Sequence, residues 1–311
     1  MKKPFVYFFF LVVYGAFLVP MVSLQSLSST FDVCMDSAQY HTLLSNEAQQ
    51  SIYHFFKRQF TQSEEPQYNV STEIPRIIHH IWLGSPFPSG YEEWYQTWRS
   101  FHPQWSTVFW TDREENYDKG AVVVYSFDEL KEQLKQNVPV HIVVDIRFLV
   151  LVNQEAFDEA VNYGERSDIL RFEVLEHIGG LYVDTDFECL RSFDILQKSY
   201  ECYTGLQPLD TGCVQLGSAL ISSIPHHPFI KRCVETVPAN RDKKRIIERT
   251  GPLFFTYCFV CSCIDNPRIN LIAFPAHYFY PCSYHEVGLP KNFWLKKHAY
   301  AVHHWEGSWL S

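Results

Sequence analysis

The sequence predicts an α/β fold with a mixed, mostly parallel central sheet flanked by helices. Three observations predict it. An apolar strand-like run, an amphipathic helix and a second strand-like run follow one another between Pro75 and Trp110, an order that implies a parallel pair. A helical pattern that starts near Arg166 stops at Gly179-Gly180 and gives way to the short apolar strand Leu181-Tyr182-Val183. Beyond it, strand and helix patterns keep alternating to His303.

Taken in order, the chain opens with Lys2-Lys3 and an uncharged apolar run from Phe5 to about Leu24. That run is long enough to cross a bilayer, and no small-x-small cleavage site follows it, which favours an uncleaved anchor over a signal peptide. Residues 1–25 are therefore read as the anchor, with the basic end cytosolic and the rest lumenal or extracytoplasmic. In a eukaryote the compartment would be the Golgi, and with the segment cleaved the protein would be secreted. Residues 26–73 are polar and helix-leaning, amphipathic over Ser45 to Phe60, and read as a stem before a domain over residues 74–311.

In that domain, Pro75 to Gly84 has the apolar density of a buried first strand, with His79-His80 inside it as structural residues, and Ser85 to Gly90 is turn-rich. A loop after a first parallel strand is where open α/β sheets hold nucleotides. Tyr91 to Phe101 reads as a helix with Trp94 and Trp98 on one face, and Trp105 to Trp110 as a second strand. Phe127 to Lys135 is helical, His141 to Asn153 fits strand or helix, and Phe157 to Tyr163 is helical. In the central helix, Ser167 or Asp168 can cap the start, and Leu170, Val174 and Ile178 recur at helical spacing. Cys202 to Leu206 and Cys213 to Ile221 read as strands, Pro228 to Val237 and Leu253 to Cys263 as helices, and Ile269 to Phe274 and Tyr300 to His303 as late strands.

Composition narrows the partners. A formal net charge of −9, with no long basic run, argues against nucleic acid, and Lys243-Lys244-Arg245 reads as a solvated face. The nine cysteines lack zinc-finger spacing; Cys258, Cys261 and Cys263 lie in an apolar run and read as buried thiols, with disulfides open to the chain in an oxidising compartment. Asn69-Val70-Ser71 fits an N-glycosylation acceptor.

Chemistry concentrates after the central strand. Asp184 and Asp186, two apart on an extended chain, would point to one side, where two ionised carboxylates repel unless a hard divalent cation joins them. Asp168 and Arg171 lie three apart on one helical face.

These residues, with Ile74 to Gly84, Trp98 to Trp110, Ile224-Pro-His-His-Pro228, Thr250-Gly-Pro252 and His303-His-Trp-Glu-Gly-Ser-Trp309, occur in an order that resembles the DXD-motif glycosyltransferases of family 32. The resemblance implies a GT-A type nucleotide-sugar-binding fold over residues 74–311 and a retaining transferase that moves a hexose from GDP-mannose or a UDP-hexose to a glycan or glycolipid. It implies a divalent metal, Mn²⁺ or else Mg²⁺, on Asp186 directly and on Asp184 through water, unless Asp184 reaches ribose and sugar hydroxyls. His303 or His304 would complete the shell; side chains of neighbouring strand residues face opposite ways, so at most one can. Asp168, Arg171 and Tyr182 would contact the donor, Trp82 would stack on its base, and Ser308 and Trp309 would close over it. Arg171 and the metal would neutralise the departing diphosphate. Asp210, Asn240 and Glu306 are further candidate polar contacts. The alternatives are an aspartate-based phosphohydrolase, against which Glu188 speaks, and a catalytically silent sugar-binding protein.

Overall fold

The computed structural model describes residues 31–62, 73–136, 138–296 and 298–307. The expected anchor, the Asn69 triplet, Ser308 and Trp309 thus lie outside the described residues. The body is built on β1 (Ile77–Ile81), β2 (Ser106–Thr111), β3 (Val122–Val124), β4 (His141–Asp145), β5 (Gly180–Val183), β7 (Cys202–Leu206), β8 (Leu216–Ser223) and β9 (Leu271–Phe274). They form one sheet in the order β3-β4-β2-β1-β5-β8-β7-β9. Every pair is parallel except β5 with β8 and β8 with β7, so β8 alone runs backwards. A second, two-stranded antiparallel sheet joins β6 (Phe187–Cys189) to β10 (Ala301–His303). The expected α/β architecture, mixed and mostly parallel, is the one observed.

β1 lies between β2 and β5, and the chain leaves it first towards one edge and returns at β5 on the other side. Such a switch point opens a crevice at the carboxyl ends of the strands. Residues 141–145, undecided between strand and helix, are strand: the β-branched Ile142-Val143-Val144 are fully buried between flanking strands. Periodicity has no power over so short a buried run.

Eight helices matter here: α1 (Glu47–Gln62), α2 (Glu92–Phe101), α3 (Phe127–Leu134), α4 (Gln154–Asp158), α5 (Tyr163–Ile178), α6 (Pro228–Thr236), α7 (Ile246–Arg249) and α8 (Pro252–Asp265). α5 corrects the expected cap. It begins at Tyr163, because the Asn162 side chain accepts a hydrogen bond from the Glu165 amide at 2.9 Å. Ser167 and Asp168 therefore lie inside the helix, and the predicted helix over 157–163 breaks at the link between α4 and α5. Leu170, Phe172, Val174 and Leu175 are fully buried, with Phe172 stacked on Phe255 of α8 at 5.8 Å.

α1 lies within the expected stem, residues 26–73. Its amphipathic pattern marks a docked helix, since Phe56 meets Phe259 of α8 at 5.4 Å and Phe60 meets Phe274 of β9 at 6.0 Å. Tyr53, Phe56 and Phe60 belong to the same hydrophobic core as the sheet. No helix among the described residues is long and apolar enough to cross a membrane. None of the nine cysteines forms a disulfide; Cys258 and Cys263 are buried and Cys261 is half-buried.

The turn from α5 to β5 depends on two glycines. Gly179 and Gly180 have φ of +68° and +102°, which side chains rarely adopt. A Cβ on Gly180 would also sit 2.8 Å from the Ile77 carbonyl oxygen of β1. This close approach lets His79 Nε2 reach the Gly179 carbonyl at 2.8 Å while its Nδ1 accepts from Trp110 Nε1 at 3.2 Å, satisfying a neutral imidazole at both nitrogens. Gly180→Ala should lower unfolding free energy by about 2 kcal/mol or more, from strain plus overpacking, and chemical denaturation measures it.

A pH dependence follows from the buried histidines. Burial pushes His79 and His227 down to about 4 and His80 to about 3. Between those values and the ordinary pKa near 6.5, the unfolded chain takes up protons that the folded chain refuses, so stability falls as pH drops through that window. His102, His141 and His177 are lowered too, whereas Asp168 and Asp184, raised by burial, oppose the trend but are outnumbered. Urea midpoints should decline steadily from pH 7 to pH 4.5; a flat or rising series contradicts this assignment.

Candidate active site

β5 delivers its last residue, Val183, into the crevice, and the chain then turns at once. The Asp184 amide donates to the Ala219 carbonyl of β8 at 2.8 Å, and the Phe187 amide donates back to the Asp184 carbonyl at 3.2 Å. Asp184 and Asp186 are thus brought together by a tight turn between β5 and β6. This corrects the expected extended pair, although the convergence of the two carboxylates is the same. Trp98 of α2 secures the far end of the turn, its indole donating to the Phe187 carbonyl at 2.8 Å.

Arg171, one turn along α5 from Asp168, reaches across to the same place. Its Nη1 lies 3.1 Å from Asp168 Oδ1 and its Nη2 3.4 Å from Asp184 Oδ1. The Ser218 carbonyl accepts from Nη1 at 2.7 Å, and the guanidinium carbon sits 4.7 Å from the centre of the Tyr182 ring. Tyr182 in turn donates its hydroxyl to Asp184 Oδ1 at 2.5 Å, and Thr250 donates to Asp168 Oδ2 at 3.1 Å. The sequence-predicted residues Asp168, Arg171, Tyr182 and Asp184 therefore form one connected network.

The electrostatics separate the carboxyls. Burial pushes Asp168 up to about 7 against the pull of Arg171. Asp184 is also raised, by burial first and by the neighbouring Asp186 charge, with Arg171 opposing. At Asp186 burial acts in the same sense but is outweighed by His303 and the Glu306 amide, so this carboxyl lies below its ordinary range.

β10 supplies the histidine. His303 Nε2 lies 3.1 Å from Asp186 Oδ1, its ring stacks on Phe187, and its Nδ1 is buried without a hydrogen-bond partner among the described residues. His304 turns the other way, as strand alternation requires. Its Nε2 meets Glu188 Oε2 at 3.2 Å and its ring stacks on Trp94 at 4.1 Å. Asp184, Asp186 and His303 place one ligand atom each within 4.8 Å of one another, a set that fits a divalent cation; His304 is not part of it.

The remaining expectations divide. Glu306 reaches the site through its main chain, whose amide donates to Asp186 Oδ2 at 3.1 Å. Trp82 stands at the exit of β1, where its indole donates to the Ser85 carbonyl at 3.1 Å and its ring meets Phe87 and Tyr91 edge-on. Asn240 and Asp210 lie outside the three-residue cluster, although both Asp210 oxygens are buried with no protein partner among the described residues. Sequence reasoning missed Tyr280, which packs on Phe187 and His303 and lies so close to Gly217 that a side chain there would collide with its hydroxyl. Only tertiary packing singles it out.

The family described as glycosyltransferase sugar-binding region containing DXD motif matches residues 88–203, which include both aspartates. Inositol phosphoceramide mannosyltransferase 2 of Schizosaccharomyces pombe is 25% identical over 189 residues, covering 59% of this chain and 46% of the relative. Mannosyl phosphorylinositol ceramide synthase SUR1 of Saccharomyces cerevisiae is 26% identical over 189 residues, covering 59% and 41%. The chain thus spans under half the length of these relatives. Among solved structures, the PaToxG glycosyltransferase shares 19% identity at a TM-score of 0.47, covering 71% of this chain and 79% of that one. Residues 88–203, the stretch that holds both aspartates, thus match a DXD-bearing sugar-binding region of glycosyltransferases.

Replacing Arg171 with Met should leave the buried Asp168 and the half-buried Asp184 without their cation. The expected loss is about 3–5 kcal/mol of stability, read from denaturant unfolding. A variant as stable as the wild type would show that the guanidinium is not what holds the two carboxylates.

Proposed function

We propose that the protein is a metal-dependent, retaining hexosyltransferase that moves a hexose from a nucleotide sugar, GDP-mannose or a UDP-hexose, to a glycolipid or glycan. The observation that carries this is the Asp184, Asp186 and His303 cluster set beside the Arg171 network at the sheet's switch point. The relatives, named as mannosyltransferases of inositol phosphoceramide, favour mannose and a lipid acceptor.

In this reading Asp186 and His303 would hold the cation, and Asp184 would help to hold it or bind donor hydroxyls. A bound Mn²⁺, or Mg²⁺ in its place, would supply Lewis-acid stabilisation of the diphosphate oxygens. Arg171 adds fixed positive charge where the leaving group gains negative charge, in a buried setting that strengthens it. Asp168 and Tyr182 orient the sugar, and Trp82 offers a ring to the base. Ser308 and Trp309 close over the donor and keep water, the competing acceptor, away. The bond from the anomeric carbon to the β-phosphate oxygen breaks, and its electron pair leaves on the nucleoside diphosphate. The acceptor oxygen forms the new bond to that carbon, and its hydroxyl proton ends on the departing diphosphate. Residues 1–25 serve as a membrane anchor that leaves the catalytic domain lumenal.

The test is a donor screen of GDP-mannose, UDP-glucose, UDP-galactose and UDP-N-acetylglucosamine with Mn²⁺. One donor should yield nucleoside diphosphate, and Asp186→Ala should slow release at least a hundredfold, as should chelation. Release that ignores both treatments overturns the proposal, and phosphate release from a phosphomonoester would favour a phosphohydrolase.

A further inference from the structure

Eighteen large apolar side chains stand exposed among the described residues, and five of them, Tyr284, Val287, Leu289, Phe293 and Leu295, fall in one stretch of twelve residues between β9 and β10. Exposed apolar groups are ordinarily scattered, and crowding of this kind marks a surface that meets something other than water.

The stretch is built rather than loose. Ser283 caps the turn Tyr284–Glu286 in a capping box, in which the Glu286 side chain accepts from the Ser283 amide at 2.8 Å. Trp294 is buried and donates its indole N–H to the Leu289 carbonyl at 3.1 Å, which folds the short helix Lys291–Trp294 back on the preceding turn. Trp294 thus fills the inside, and the five apolar side chains are left outside. The charges suit burial against lipid. Residues 284–296 hold one carboxylate, Glu286, which the cap uses, and two lysines, in a chain whose net charge is −9.

The position of the stretch identifies its occupant. One end is tied to the candidate active site: Lys291 Nζ meets Glu188 Oε1 at 2.5 Å, two residues beyond Asp186, and Trp305 donates to the Cys282 carbonyl at 2.9 Å. The other end lies where the described chain begins. His277 Nε2 stands 2.7 Å from Asp36 Oδ2, the Ala276 amide reaches Met35 Sδ at 3.2 Å, and Tyr278 stacks on His298 at 6.1 Å. Burial opposes it, but His277 and then Lys296 hold the Asp36 carboxyl below its ordinary range. From Gln25, the last residue of the proposed anchor, to Phe31 there are six residue steps, which span at most roughly 20 Å. A bilayer that holds residues 1–25 therefore passes close to Phe31, on the side of the molecule where Lys296 and His298 lie. Val33, on the short helix Phe31–Cys34, is 65% exposed there.

We propose that residues 284–295 form a second membrane contact, which lays Tyr284, Val287, Leu289, Phe293 and Leu295 into the boundary between headgroups and acyl chains and so sets the Asp184–Asp186 turn at the lipid surface. The assignment rests on the reading of residues 1–25 as a membrane anchor and adds to it a fixed orientation of the catalytic domain. Aromatic rings suit that boundary, and a lysine beside them keeps its charge among the headgroups.

The test places the full chain in phosphatidylcholine nanodiscs doped with a phosphatidylcholine that carries a photoreactive diazirine on its acyl chain. Lipid adducts are mapped by peptide mass spectrometry after irradiation, and they are expected on residues 284–295 as well as on residues 1–25. Leu289→Ser with Phe293→Ser should reduce the adducts on 284–295 about tenfold, because two apolar side chains are withdrawn from lipid. Adducts on residues 1–25 should persist, and the melting temperature should not change, since both substituted side chains are exposed. Adducts confined to residues 1–25, wild-type labelling of the double variant, or crosslinks from this stretch to a second copy in place of lipid overturn the proposal and leave the anchor reading standing. Adducts on 284–295 with none on 1–25 sink the anchor reading and leave this contact standing, and adducts on neither sink both.

Discussion

Between Asp168 and Asp184 stands a single guanidinium, that of Arg171, with the Tyr182 ring against its face and the Ser218 carbonyl at its edge. Asp168, Asp186 and Arg171 lie buried within this small space with Asp184 half-buried beside them, and each isolated charge there would be costly. The arginine offsets two of them, and its planar fork fixes their positions as a lysine could not. Asp186 is left to His303 and a main-chain amide, at the edge of the network and nearest the candidate cation position. The site thus passes from carboxylates held by Arg171 to one held by His303 and the main chain.

The fold exists to keep that arrangement in place. α5 carries Asp168 and Arg171, and β5 carries Tyr182 and ends at Asp184; two glycines with positive φ let the helix end fall directly onto β1. Any wider connection would shift the helix residues along the strand and part Arg171 from Asp184. β10 arrives from the far end of the chain, and its pairing with β6 sets His303 against Asp186. The stacked Trp94 and His304 hold the outer face of the same strand end.

Much of this was legible in the sequence because it is local. Helical spacing, the glycine stop, the apolar strand and the Asp-x-Asp pair all lie within a few residues of one another and need no partner to be recognised. What was not legible depends on distant contacts. The cap of α5 sits at Asn162, and Asp168, six residues on, serves Arg171 and Thr250 instead. The choice of His303 over His304 depends on which face of β10 meets β6, a register that a three-residue strand does not reveal. α1 looked like a spacer because amphipathicity cannot say what its apolar face meets, here Phe259 and Phe274 about two hundred residues away. Tyr280 and Ser218 had no motif to announce them.

The central claim is that one divalent cation is held by Asp184, Asp186 and His303. Electron paramagnetic resonance titration of Mn²⁺, in the presence of nucleoside diphosphate, tests it most directly. The account predicts one site in the wild type, retained in His304→Gln and lost in His303→Gln and in Asp186→Asn. Retention of that site in His303→Gln together with its loss in His304→Gln would contradict it.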